Sequence, residues 1–199
     1  MAKRLRSVDG SEMDPLIAAQ AGWAFFQTSR GVVESLPSDP ARTEAVVSMG
    51  DLIASATSLA LSAELFLKAL LILCGRPVPV SHDLLELWEG LPESEKQILR
   101  DGYEERRALE PGAAATIQLV FSPSEDDCGP VAPLKQGPRD NSLEAVLARS
   151  RQDFCSWRYL HEITQSEGVA AVDYEYHHLG AVVLAASHRC QGLIFGGKP

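Results

Sequence analysis

The sequence predicts an all-α fold, a mostly antiparallel helical bundle with one long central helix and a Pro/Gly-rich excursion. Three observations carry that expectation. Apolar residues recur at spacings of three and four along most of the chain, as they do on the buried face of a helix. Helix-start residues stand ahead of those runs, with Asp14-Pro15 and Asp39-Pro40 as the clearest pairs. Alternating strand patterns are weak, and there is no internal repeat at a solenoid period.

The first helix is expected from Pro15 through Trp23, Phe25 and Phe26 to about Glu34, with Gly22 and Gly31 weakening it. A connector at residues 36–40 follows, and Asp39 then caps a second helix that runs to Gly75 as its C′ residue. About 34 residues at 1.5 Å each would make a rod of roughly 50 Å. Along it Leu52, Ala56, Leu59, Ala63, Phe66, Leu67, Leu70 and Leu73 form the inward stripe. Ser81 is expected to cap a short helix over residues 82–90, with Leu84, Leu85, Leu87 and Trp88 apolar. Pro92 starts a charged surface helix ending near Glu110, whose core residues are Ile98, Leu99, Tyr103 and Leu109. Residues 111–140, dense in Gly and Pro, read as a loop or insertion in which 114–121 form a short ordered segment. Asn141 or Ser142 caps a helix from Leu143 to about Ile163, and a break near Gly168 precedes a last helix over residues 174–195. On that helix Leu179, Val182, Val183, Ala186, Cys190 and Ile194 share one side. Residues 1–199 are thus read as one helical-bundle domain, with 1–12 a disordered N-terminus.

Composition fits an ordinary globular chain. Its 199 residues are 45% hydrophobic and 23% charged, and 18 basic against 27 acidic side chains leave a net charge of −9. That balance disfavours sequence-independent nucleic-acid binding through bulk electrostatics, so no DNA partner is expected, while a local basic patch stays open. Cys74, Cys128, Cys155 and Cys190 have no close pairing such as C-x-x-C and read as free thiols. The basic start is not followed by an apolar h-region, and the most apolar run, residues 59–74, carries Glu64 and Lys68. The expectation is a cytoplasmic protein with no membrane partner.

Polar residues inside apolar helical stretches are the most informative feature. Glu64 and Lys68 stand four apart in the favourable order on the long helix. Arg158 stands among Phe154, Trp157, Tyr159 and Leu160 on another. A charge in such surroundings needs a partner, which predicts a semi-buried network of Glu64, Lys68, Arg158, Tyr159 and Glu162 joining two helices. A structural clamp is the plainer reading of it. Glu175 and His178 form one Glu-x-x-His, but no second copy exists for a di-iron site, and His188-x-Cys190 has no zinc partners. No metal or cofactor is expected, and His177 and His178 read as helix-surface or dimer-interface residues. His82 reads as a capping or packing histidine beside Asp83. Phosphate-loop, dinucleotide and serine-elbow motifs are absent.

The string Leu61-Ser62-Ala63-Glu64-Leu65-Phe66-Leu67-Lys68-Ala69-Leu70-Leu71, then Gly75, His82-Asp83-Leu84-Leu85-Glu86-Leu87 and Leu91-Pro92, and later Phe154-x-x-Trp157-Arg158-Tyr159-x-x-Glu162, resembles the HEPN superfamily. The resemblance covers roughly residues 51–190. It implies an up-and-down bundle that dimerises, in a superfamily of metal-independent endoribonucleases from toxin–antitoxin and phage-defence systems and of inactive RNA-binding or scaffold members. In the active members an Arg and a His separated by four to six residues meet their dimer mates at the RNA backbone. Here Arg158 and His161 have two residues between them and Arg151 and His161 nine, while Arg76 and His82 have five, with Pro77 and Pro79 among them. The leading expectation is a homodimeric HEPN-like module, RNA-associated or protein-interacting, without catalysis. The alternatives are a metal-independent endoribonuclease built on Arg151, Arg158 and His161, and a scaffold or antitoxin-type partner of a cognate protein, bound through residues 111–140.

Overall fold

The computed structural model describes residues 13–35, 49–109, 117–121, 139–151, 153 and 170–196. Among them are six helices and one two-stranded antiparallel ribbon: α1 (Pro15–Glu34), α2 (Met49–Leu73), α3 (Leu84–Glu89), α4 (Glu93–Leu109), β1 (Ile117–Phe121), α5 (Leu143–Arg149), β2 (Ala170–Tyr174) and α6 (Tyr176–Phe195). The fold is an all-α bundle, as expected, with a ribbon added to it.

Local chemistry sets most element ends. Asp14 caps α1 by accepting from the amide of Leu16 at 2.8 Å, with Pro15 in the first turn. At the other end of α2, the amides of Gly75 and Arg76 reach back to the carbonyls of Ile72 and Leu71, and Gly75 takes φ +64°. This is a Schellman ending, which a side chain at that position would strain. Asp83, not Ser81, caps α3, its Oδ1 receiving the amides of Leu85 and Glu86, while Ser81 Oγ receives the amide of Asp83. The expected helix from Leu143 to Ile163 ends at Arg149, where Ser150 takes φ −90°, ψ 8° and its amide returns to Val146. The expected ordered segment before residue 121 is β1, which pairs with β2 from Ile117 opposite Tyr174 to Phe121 opposite Ala170. That pairing draws Tyr174 out of the last helix, which starts two residues later.

Helix directions follow from the contacts. Ser29 bonds Ser55, and Ser62 bonds the carbonyl of Gly22, so α1 and α2 run antiparallel. Tyr103 meets His178 and Glu95 meets Arg189, which makes α4 antiparallel to α6. Tyr174 reaches Ser55 whereas Cys190 reaches the carbonyl of Phe66, so α2 and α6 run parallel. α2 is the centre of the bundle, between α1 and α6. Small residues let α1 lie close to it: a Cβ at Gly22 would stand 3.1 Å from the Phe66 ring. The predicted stripe on α2 is buried throughout, except that Leu73 is part-buried. Phe26 is buried, while Trp23 and Phe25 face outward. On α4, Leu99 and Tyr103 are buried, but Ile98 and Leu109 are exposed rather than core. The stretch Gly50–Leu73 is long and apolar enough to cross a membrane, longer than the run read from the sequence, and 61% of its apolar window is buried inside the fold. The expected cap at Asp39, the N-terminal residues 1–12, Cys128 and Cys155 lie outside the described residues.

Candidate functional site

Two polar clusters stand out, one at the α2–α3 junction and one in a cleft between α1, α4 and α6. The first contains the described part of the predicted network. Lys68 Nζ donates to Glu64 Oε1 at 2.6 Å, and the two side chains are 12% and 4% exposed. The other carboxylate oxygen, Oε2, meets Nδ1 of His82 at 2.9 Å. His82 is therefore a partner of the buried Glu64 rather than a helix cap, which corrects its expected role. Arg158, Tyr159, Glu162 and His161 lie outside the described residues. Arg151, the remaining residue of the endoribonuclease alternative, is described and is committed elsewhere. Its Nε and Nη2 donate to Asp83 Oδ2 at 3.0 and 2.6 Å, and its carbonyl accepts from the amide of Leu84. Burial pushes the Asp83 carboxyl up, but the Arg151 fork and the amides of Glu86 and Leu85 outweigh it and hold the group below its ordinary range. This junction ties α2, α3 and the end of α5 together, which is what a structural clamp does.

The second cluster was not anticipated. Between α1, the C-terminal end of α4 and the N-terminal turn of α6 lies a cleft of about 730 Å³. Its apolar wall is Phe26, Val33, Ala181 and Leu184, and its charged rim sets Arg30, Arg106 and Arg107 against Glu34 and Glu104. Tyr176, His177 and His178 of the first turn of α6 complete it. Arg107 pairs with Glu104 and lies over the Tyr103 ring, while Arg106 makes no ion pair among the described residues.

His178 is 8% exposed, so its expected place on the helix surface or at a dimer interface is corrected: it is buried against α4. Its tautomer follows from its neighbours. Tyr103 Oη lies 2.8 Å from the carbonyl of Asn141 and 3.0 Å from Nδ1 of His178. A carbonyl only accepts, so the single phenolic proton goes to Asn141 and the phenolic oxygen receives the proton on Nδ1. Nε2 is then the unprotonated nitrogen. No buried side-chain nitrogen or oxygen among the described residues lacks a hydrogen-bond partner, and the hydrogen bonding of His178 runs through Nδ1. Nε2 is accordingly reachable by solvent, on a residue that lines the cleft. Burial lowers the proton affinity of the ring, with the nearby Arg149, Arg107 and His177 acting in the same direction and Glu175 opposing them.

Behind His178 the base of the cleft is rigid. Glu175, 6% exposed, takes a two-pronged bond from Arg149 at 2.6 and 3.0 Å, and Arg149 also donates to the carbonyl of Asp140. That arrangement fixes residues 140–141, and with them the acceptor that orients Tyr103. Among the described residues there is no cluster of three or more His, Cys, Asp or Glu able to hold a metal. The loop of the scaffold reading is described only at β1 and from Arg139 onward. No protein-family model, curated protein or solved structure gives a match to this chain.

Proposed function

We propose that this chain is a cytoplasmic HEPN-like helical-bundle module that self-associates as a homodimer and acts by binding, RNA-associated or protein-interacting, in a bacterial stress or phage-defence setting, without catalysis of its own. The observation that supports self-association is the outer face of α1. From Pro15 to Ser29 the helix carries no charged residue. Leu16, Ile17, Trp23 and Ala24 fall within about a third of its circumference, with the two large aliphatics and the indole 36%, 63% and 39% exposed. An uncharged face with an aromatic anchor suits the centre of an isologous interface, where the same patch of a second copy would cover it. The junction of Glu64, Lys68, His82, Asp83 and Arg151 supports a structural rather than a reactive role there.

Sedimentation equilibrium tests the interface. The wild-type chain is expected to dimerise, and Trp23→Glu with Ile17→Glu to weaken that by roughly 30-fold or more, since a buried aromatic anchor contributes about 2 kcal/mol. A wild type that stays monomeric to about 100 μM overturns the dimer. End-labelled RNA in excess EDTA is expected to be bound and left intact. Cleavage that disappears in a folded Arg158→Ala or His161→Ala variant would favour the endoribonuclease alternative instead.

A further inference from the structure

We propose that the cleft between α1, α4 and α6 is a small-molecule site for an organic anion that carries an O–H or N–H donor on an apolar body, the donor being received by Nε2 of His178. The inference does not rest on the dimer reading, although the cleft adjoins the dimer face, the Trp23 ring standing 5.5 Å from that of Phe26 in the cleft wall.

Three features of the cleft each select part of that ligand. Its volume, about 730 Å³, is that of a site for one drug-sized or nucleotide-sized molecule, and the Phe26, Val33 and Leu184 wall suits an apolar or planar body. Among the described residues the rim has three guanidinium groups against two carboxylates, and since Arg30 pairs with Glu34 and Arg107 with Glu104, the excess positive charge is that of Arg106. The first turn of α6 adds to it. Tyr176, His177 and His178 of that turn line the cavity, so the positive end of the dipole of a 20-residue helix lies at the cleft. A helix start of this kind favours an anion without specifying one.

Specificity comes from His178. Its ring is nine-tenths buried, one nitrogen is held by Tyr103, and the other is an acceptor reachable by solvent. In the open cleft water satisfies that acceptor, and a ligand that displaces the water without supplying a donor leaves the nitrogen desolvated. Asn141, fixed through Arg149 and Glu175, keeps the ring from turning over to offer a donor instead. A phosphate ester or a carboxylate would satisfy the rim equally.

Calorimetric titration of the full chain separates these. The probes are adenosine monophosphate, para-hydroxybenzoate, benzoate and inorganic phosphate. At least one of the first two is expected to bind, ten-fold or more tightly than its counterpart without donor or body, and which one binds decides between phosphate and carboxylate. His178→Phe should abolish the hydroxybenzoate preference over benzoate, or the nucleotide preference over phosphate, leaving the weaker probe unchanged, and Arg106→Ala should weaken all probes alike. Long-range proton–nitrogen NMR of the wild type is expected to place the His178 proton on Nδ1, a readout that needs no variant to fold. A proton on Nε2, no binding of either donor-bearing anion below about 1 mM, or a preference that survives His178→Phe overturns the proposal.

Discussion

Lys68→Ala is expected to lower the stability of the fold by about 3 kcal/mol, because it removes the closest counter-ion of a carboxylate that is 4% exposed on the central helix. In a domain of this size that corresponds to a fall in Tm of roughly 6–12 °C. The same change on an exposed i,i+4 pair, such as Arg30 with Glu34 at 50% and 59% exposure, should cost well under 1 kcal/mol, since water screens what remains. His82 keeps one hydrogen bond to Glu64 in the variant, which is why the expected loss is at the low end for a broken buried pair. The partner experiment is Glu64→Leu with Lys68→Met. Replacing both members by apolar groups removes the stranded charge, so the double variant should be much more stable than Lys68→Ala and close to wild type. Urea unfolding of the three chains measures this directly. A Lys68→Ala chain within 0.5 kcal/mol of wild type, by the surface norm, would mean that Glu64 is solvated in solution.

The Glu64 and Lys68 pair was legible because both its members lie on one helix, where spacing alone fixes their proximity. What was not legible lay between elements. His82 reaches Glu64 across 18 positions, and nothing local announces it. The same contrast holds for the fold. The ends of α1, the Schellman ending of α2 and the buried stripe all rest on short-range signals, and they stand where periodicity and caps put them. The end of α5 at Arg149 carries no such signal: Ser150 closes the helix without glycine or proline, and the apolar spacing continues beyond it. The ribbon needs two five-residue segments about fifty positions apart, each too short to show a period. In the cleft the sequence does carry a signal. His178 stands three, four and seven residues before Ala181, Val182 and Ala185, all buried, so helical geometry already placed it on the inner face. Tyr103, its partner, was correctly expected in the core, but the contact joins α4 to α6 over 75 positions.

Asp153→Asn is expected to stabilise the protein at pH 8 and to leave it unchanged at pH 4. Burial pushes the Asp153 carboxyl up to about 6, with Glu175 nearby adding to the effect and a bond from Ser150 opposing it. In the unfolded chain an aspartate titrates near 3.9. The native state therefore holds the proton more tightly than the unfolded state, and the contribution of this group is fully present below about pH 4 and lost as pH rises through about 6. A rise from about 3.9 to about 6 corresponds to about 3 kcal/mol. Asp153 is part-buried by its surface, so solvent screens some of that, and a loss on the order of 2 kcal/mol is expected above pH 7. Asparagine has nearly the same shape and no proton to lose, so it should escape the loss and raise Tm by roughly 4–8 °C at pH 8. Asp83 titrates with the opposite sign, because its pairing with Arg151 contributes stability above its unfolded value that is lost on acidification. Absolute stability against pH therefore mixes the two, whereas the difference between Asp153→Asn and wild type isolates one. Thermal melts at half-unit steps between pH 4 and pH 8 should show that difference opening between about pH 4 and 6 and levelling off above it. A difference that is constant across the range would assign the effect to packing or hydrogen bonding at Ser150, and no difference at all would place the Asp153 carboxylate in water.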